Sequence, residues 1–270
     1  VVGFNHADLD LSSSHAIAEK IGRLDFDLLI NSAGLTNVDY CETHEQEAMQ
    51  INARAVRQLA EICSGKAARM IHFSTDYVFD GEKRAPYSET DTPRPISIYG
   101  RSKLQGENEL LNVSADNLVV RVSWVFGPDR PSFVDQILRR AMDSNQAAAI
   151  ADKYAAPSFT LDIASYLMPF VHGGTAGGVL HFCNAGSCSW RDYGQFAIDC
   201  AVAAGLSIRA RSVAPLTMES MANFVAKRPV YSVLSTDKIT AIAGSAPRSW
   251  QDAVQDYVTN FFAKTFRAAG

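Results

Sequence analysis

The sequence predicts an α/β protein built on a parallel sheet with helices on both faces. Short apolar runs alternate with longer stretches of helical periodicity, and a β-α-β-α-β order of this kind closes into a parallel sheet. The runs are apolar throughout, as strands covered on both faces are. The size agrees: 270 residues, 47% apolar and 20% charged, fill one large core or two modest ones.

In order along the chain, residues 1–4 read as a strand. Residues 12–23 read as a helix with a serine cap and Ala16, Ile17 and Ile21 at helical spacing. Residues 27–31 are a short buried strand. Residues 45–64 are a long helix, with Ala48, Ile51, Ala55, Leu59 and Ile62 on one face. Strand 70–73 follows, then a turn-rich loop over 80–95, helix 98–111, strand 118–122 and helix 133–142. Beyond about residue 145 the pattern loosens into a smaller mixed α/β lobe. It holds helix 160–171, strand 179–182, helix 189–204 stopped by Gly205, strand 208–213 and a final amphipathic helix over 249–266. We expect a first domain over residues 1–145 and a second lobe over 146–270, with some later segments returning to the first sheet. Ligands of such sheets bind at the carboxyl ends of the strands, here residues 31–36, 74–79 and 123–127.

With 25 basic and 29 acidic side chains there is no basic footprint, so nucleic acid is not the expected partner. The five cysteines show no CxxC pair and read as reduced, mostly buried thiols of a cytoplasmic protein. The six histidines are scattered, and no metal site is expected. Residues 163–190 lack Asp, Glu, Lys and Arg, but Pro169, two Gly-Gly pairs and two histidines interrupt them. That stretch reads as helix, loop and strand, so no membrane span is expected.

The chemistry concentrates in Ser74-Thr-Asp-Tyr-Val-Phe79 and Tyr99-Gly-Arg-Ser-Lys103. A Tyr and a Lys four apart on a helix share a face. An ammonium beside a phenol lowers the phenol pKa, and such a Tyr protonates a carbonyl oxygen while a hydride reaches the carbon. Nine tyrosines and eight lysines in 270 residues give about one such pair by chance in every four chains, so the pair alone is weak. Its context lifts it: a hydroxyl pair ends the strand upstream, a loop follows, and the pair opens the next helix.

Together with Asn31-Ser-Ala-Gly-Leu-Thr-Asn-Val-Asp39, Asp80-Gly81, Leu104-Gln-Gly-Glu107, Arg121-Val-Ser-Trp-Val-Phe126 and Lys227-Arg-Pro229, these motifs resemble the extended short-chain dehydrogenase/reductases. Within them the chain is similar to the dTDP-4-dehydrorhamnose reductase family. The resemblance implies a Rossmann-type domain with a smaller substrate lobe and use of NADPH or NADH. The reaction it implies is reduction of the C4 keto group of a nucleotide-linked 4-keto-6-deoxysugar. It implies that Tyr99 is the acid, Lys103 tunes it and bonds the nicotinamide ribose, and Thr75 bonds the reacting oxygen. Ser32, Ala33, Gly34, Thr36 and Ser74 would lie along the cofactor, and Asp10 and Leu11 beside its adenine. Asp76, Tyr77, Trp124 and Arg228 would face the sugar nucleotide, the Arg228 fork suiting its diphosphate. Without the family, Trp124 would read as core and Arg228 as a surface ion pair; Asp76 reads equally as a turn cap or a site residue, and Asn52 equally as a buried side chain bonding backbone or a polar link behind the active site.

The chain departs from the family in three places. No glycine-rich dinucleotide fingerprint occurs near Val1, and we expect the first strand and phosphate loop to precede it. Asn5 and His6 stand where an acidic residue would select NAD, which leans toward NADP or use of both cofactors. In residues 151–158 Lys153, Ala155 and Ser158 replace the family's Gln, Gly and Thr, on the side expected to meet the sugar. Two other readings stay open: a non-catalytic subunit resembling the regulatory subunit of methionine adenosyltransferase, and a nucleotide-sugar epimerase or dehydratase. A homodimer is a further possibility.

Overall fold

The computed structural model describes residues 1–173 and 177–267. Four strands, β1 (Leu28–Asn31), β2 (Arg69–Thr75), β3 (Leu118–Val122) and β8 (Gly178–His181), form one sheet in the order β1-β2-β3-β8. All its neighbours run parallel. Helices make the crossovers. Between β1 and β2 lie α2 (Val38–Thr43), α3 (Glu45–Met49) and α4 (Ala55–Gly65), with a π-helical stretch, Gln50–Arg54, joining the last two. α5 (Ile98–Val113) leads from β2 to β3, and α7 (Thr160–Val171) precedes β8. This is the Rossmann-type α/β arrangement the apolar runs predict.

Strand periodicity sorts the β2 side chains onto two faces. Met70 packs with Leu59, Leu110 and Val119 beneath α1 (Ser14–Lys20), α4 and α5. Ile71 and Phe73 pack with Val120, Val122 and, from α7, Ile163, Leu167 and Phe170. Each fully buried aliphatic side chain, such as Val119 or Val120, contributes about 1.5–3 kcal/mol. The sequence signals for helix starts hold locally. Ser13 accepts from the Ala16 N–H, Ser97 from Gly100 and Ser189 from Asp192.

The remaining segments build a second core. α6 (Phe133–Asp143), α8 (Trp190–Ala203) and α10 (Trp250–Tyr257) enclose Phe126, Leu138, Tyr193, Ile198 and Tyr257. Short ladders surround it: β5 (Ala147–Ile150) with β10 (Val213–Leu216), β4 (Val125–Phe126) with β7 (Ser158–Phe159), and β6 (Tyr154–Ala155) with β9 (Cys188–Ser189). A short helix, α9 (Asp237–Ala243), packs Ile239 back onto the first sheet.

Four expectations change. Residues 1–4 form no strand: a strand needs a neighbour for its N–H and C=O groups, and no ladder reaches them. Val1, Val2 and Phe4 are exposed, and β1 is an edge strand whose Ile30 is 49% exposed. The strand expected at 208–213 lies at Val213–Leu216 instead, because the Arg209 and Ala210 N–H groups both donate to the Ala141 carbonyl at the end of α6. The long helix over 45–64 is broken by the π-helical stretch. The final helix likewise passes through a π turn, Val258–Phe262, into α11 (Ala263–Arg267). The uncharged stretch 163–190 divides into α7, β8 and β9, with residues 174–176 outside the described part. No described helix is long and apolar enough to cross a membrane.

Candidate active site

On α5, Tyr99, Lys103 and Glu107 stand four residues apart and form one buried stripe. The stripe faces the ends of the sheet, where Asn31, His72, Ser74 and Arg121 lie on neighbouring strands in register. Glu107 takes Arg121 in a two-pronged pair at 2.9 and 2.6 Å and accepts the Ser74 hydroxyl at 2.5 Å. That pair is almost fully buried, and its hydrogen bonds compensate the desolvation of both charges. Lys103 Nζ donates to the Phe73 carbonyl at 2.7 Å and lies 3.2 Å from His72 Nε2. Burial lowers its pKa to about 8, against the pull of Glu107.

Tyr99 sits one turn earlier, edge-on to Tyr77 with ring centroids 5.6 Å apart. Burial raises its phenol pKa, and the Thr75 hydroxyl, through a side-chain hydrogen bond, opposes that. The sequence-based expectation that the lysine ammonium would bring the phenol down is therefore corrected. In this state burial governs Tyr99, and the phenol stays protonated. Thr75 closes β2, accepts the Tyr77 N–H at 3.2 Å and donates to Asp76 at 3.1 Å, which starts the turn that aims Tyr77. Asp76 is buried, accepts the Ser232 hydroxyl at 2.5 Å and has its pKa raised by burial against the attraction of Lys153.

A cavity of about 760 Å³ opens over these groups. Ser32, Ala33, Gly34 and Thr36 line one side, Ser74, Thr75, Asp76, Tyr77, Tyr99 and Lys103 the floor, and Trp124 the other side. Trp124 has a φ of 42°, a strained value for a bulky residue, and its indole N–H lacks a hydrogen-bond partner among the described residues. Its ring also packs on Tyr193 and Trp190, so it belongs to the core and the wall at once. A Cβ on Gly34 would come within 3.0 Å of Asn52 Oδ1 and 3.6 Å of Lys103 Nζ, so glycine keeps this cradle open beside the lysine. Asn52 pins the loop behind it, accepting the Leu35 N–H at 2.8 Å and donating to the Leu35 carbonyl and the Ser102 hydroxyl. A nicotinamide ribose fits this wall, which pairs an ammonium donor with an open glycine cradle.

Three expected site residues stand apart from the lining. The Asp10 carboxylate is exposed and caps Ser12, while Leu11 is buried against the α1 side of the first core. Arg228 is held by Asp39 at 2.6 Å and stacks over Phe224. Lys153, Ala155 and Ser158 are buried and outside the lining of this cavity. Lys153 instead donates to the Pro229 carbonyl at 2.5 Å and lies over the Tyr77 ring at 5.0 Å. Sequence reasoning placed Phe126 at a strand end but passed over the apolar wall of Ile163 and Leu167, and over the lining residues Asp129 and Arg130. It also passed over His72. The alternation of polar residues along β2, His72 then Ser74, carried the signal for that one.

A family model described as the RmlD substrate binding domain matches residues 1–262. The chain belongs to this family. Its relatives include the dTDP-4-dehydrorhamnose reductase of Aggregatibacter actinomycetemcomitans, 33% identical over 261 residues that cover 95% of this chain and 88% of the relative. The dTDP-4-dehydrorhamnose reductase of Mycolicibacterium smegmatis is 34% identical over 261 residues, covering 96% of this chain and 77% of the relative. Among solved structures, the dTDP-4-dehydrorhamnose reductase of Bacillus anthracis, in complex with NADP, matches with a TM-score of 0.87 at 27% identity. That match covers 97% of this chain and 89% of the other. For this RmlD family member the Rossmann-type fold is thus shared with reductases of known structure.

Proposed function

We propose that this RmlD family protein is an NADPH-dependent oxidoreductase. It reduces the C4 keto group of a nucleotide-linked 4-keto-6-deoxysugar, dTDP-4-dehydrorhamnose, to give dTDP-L-rhamnose. The convergence of Thr75, Tyr99 and Lys103 on one cavity, in a chain of this family, carries the reading. The NADP of the B. anthracis relative and the lack of an acidic residue at Asn5 and His6 support the phosphorylated cofactor. When bound, the reduced nicotinamide supplies a hydride. Lys103 and the Gly34 cradle hold its ribose, and Ser32, Ala33, Thr36 and Ser74 extend that wall. Asp10 and Leu11 are assigned to the adenine end by family resemblance alone.

Tyr99 gives its phenol proton to the C4 oxygen as that oxygen gains charge, and the Thr75 hydroxyl donates to the same oxygen. The ammonium one turn away favours the phenolate that remains. Asp76, Tyr77 and Trp124 meet the sugar, Arg228 serves the diphosphate once released from Asp39, and the apolar wall excludes water. On this reading residues 1–145, with α7 and β8, carry the cofactor, and most of residues 146–270 close over the sugar nucleotide. The five buried free thiols support a reducing, cytoplasmic setting. A homodimer is the simplest assembly for such a chain, and sedimentation reads it.

The test is NADPH oxidation by the purified protein with dTDP-4-dehydrorhamnose. Net NADPH consumption that falls at least about 10²-fold in Tyr99→Phe is expected. No turnover, or turnover unchanged in that variant, would sink the reading. Recycling of the cofactor without net consumption would point to epimerase or dehydratase chemistry instead.

A further inference from the structure

We propose that His72 is the positioning residue of Lys103: as a neutral imidazole it accepts a hydrogen bond at Nε2 from the lysine ammonium, and so leaves the ammonium's remaining N–H for the cavity. The inference rests on the reductase reading for its catalytic consequence, but its geometry stands alone.

His72 is fully buried in the middle of β2 and points at α5. Its Nε2 lies 3.2 Å from Lys103 Nζ, and the Phe73 carbonyl takes another ammonium proton at 2.7 Å. An ammonium has three donors and no acceptor. With two donors fixed by adjacent residues of one strand, the third is aimed rather than free. A long lysine chain otherwise pays rotamer entropy each time it finds its target.

The other ring nitrogen is anchored as well. Asn31, directly opposite His72 in the β1–β2 ladder, brings its side-chain Nδ2 within 3.1 Å of Nδ1. Two tautomers therefore compete. A donating Asn31 amide favours the proton on Nε2, while the Lys103 ammonium favours it on Nδ1. A charge-assisted hydrogen bond is about twice as strong as a neutral one, so the ammonium decides the tautomer. An imidazolium is excluded, because burial and the Lys103 charge push the His72 pKa well down.

The other ionisable groups facing Lys103 do not replace His72. Tyr99, on its own helix, is a neutral phenol. Glu107, also on α5, is committed to Arg121 and Ser74. Asn52, in the π-helical stretch and beside Gly34 with Lys103, is uncharged. Loss of His72 should thus withdraw an acceptor from the charged form of Lys103 and lower its pKa further.

The experiment has two arms. In the first, ¹⁵N resonances of His72 in the unaltered protein should show Nδ1 protonated and Nε2 unprotonated at neutral pH. A proton on Nε2 overturns the proposal. In the second, the Lys103 side-chain amine is titrated by NMR, assigned with Lys103→Met, in the wild type, His72→Leu and His72→Gln. His72→Leu should titrate about one pH unit or more lower, and His72→Gln, which keeps an acceptor, should recover most of that shift. An unchanged titration in His72→Leu overturns the proposal. So does a shift that His72→Gln fails to recover, and if His72→Leu does not fold, His72→Gln and the tautomer decide. In turnover the alkaline limb of kcat should move down with the amine, with KM for NADPH rising, whereas a merely structural role would lower kcat without moving the limb. If the wild type does not consume NADPH, the functional reading fails, while both NMR arms still decide this inference.

Discussion

Asp39 and Arg228, 189 residues apart in the chain, meet in a fork with N–O distances of 3.0 and 2.6 Å. The same Asp39 oxygen accepts the N–H groups of Val225 and Ala226, at 2.9 and 3.0 Å. One carboxylate on α2 thereby holds the 225–228 segment in place. The Arg228 side chain is 7% exposed and has no spare face while this fork is closed.

Substituting Asp39→Asn should weaken that clamp by about 1–2 kcal/mol. For a chain of this size that is a fall in Tm of about 2–8 °C. Arg228 holds the Asp39 carboxyl below its ordinary value of 3.8. A depressed folded pKa stabilises above the unfolded value and is lost as pH falls through the folded one. The Tm gap between wild type and Asp39→Asn should therefore be full at neutral pH and close below about pH 3.8. Melts across an acid series measure it, and a gap that persists at acid pH would deny the ion pair its role.

Lys153 predicts the same rise of stability with pH, in an alkaline window. Its ammonium is fully buried, and burial lowers its pKa to about 8 against the attraction of Asp76. Between about 8 and the ordinary 10.5 the unfolded chain binds the extra proton, so stability rises with pH there. The wild type should gain on Lys153→Gln, by at most about 1.4 kcal/mol per pH unit, as pH climbs through that window. At neutral pH, Lys153→Met leaves Asp76 without its positive neighbour and should cost about 2–3 kcal/mol. Adding Asp76→Asn should return part of it. Urea unfolding at three pH values checks both signs.

For the reaction itself, Tyr99→Phe should lose about 10²–10⁴-fold in kcat, and Thr75→Val about 10-fold or more, with Tm nearly unchanged in both. Because burial raises the Tyr99 pKa while Lys103 sits near 8, the alkaline fall of kcat/KM belongs to the lysine. Replacing Lys103 with Met should therefore flatten that limb as well as lower the rate. A limb near pH 8 that survives in Lys103→Met would move the assignment elsewhere.

The chemistry was easier to read from the sequence than the geometry, for a physical reason. Tyr99 and Lys103 are four apart on one helix, so helical periodicity put them on one face, while Ser74 and Thr75, at the end of a buried run, were joined to them by family resemblance. Residues 1–4 have the same apolar look as a strand, yet a strand exists only with a neighbour, which lies outside any local window. The shift of 208–213 to Val213–Leu216 has the same origin: Arg209 and Ala210 are drawn to the Ala141 carbonyl, 68 and 69 residues earlier in the chain. Arg228 shows the limit of motif transfer. Its fork suits a diphosphate and a carboxylate equally, and only the fold reveals that Asp39 already occupies it. For His72, the alternation with Ser74 marks a face but not the lysine it meets, and Lys153 showed only as a departure from the family, because Asp76 and Pro229, which it faces, lie far from it in the chain.

The π-helical stretch is the most sensitive joint in this arrangement. Asn52 lies within it, and α5 packs so closely there that a Cβ on Gly106 would meet the Asn52 carbonyl oxygen at 2.1 Å. Backbone cannot give way as a side-chain end can, so Gly106→Ala must push α5 or the stretch aside. Either shift strains the Asn52 bonds to Leu35 and Ser102, which set the loop that lines the cofactor wall. The cost should be about 1–3 kcal/mol in stability, and Lys103, one turn earlier on the same helix, should move with it. NADPH affinity should therefore fall more than the loss of Tm alone accounts for. Calorimetric titration of NADPH beside thermal melts separates the two, and a variant with wild-type affinity and Tm would show that this contact does not hold the cofactor wall in place.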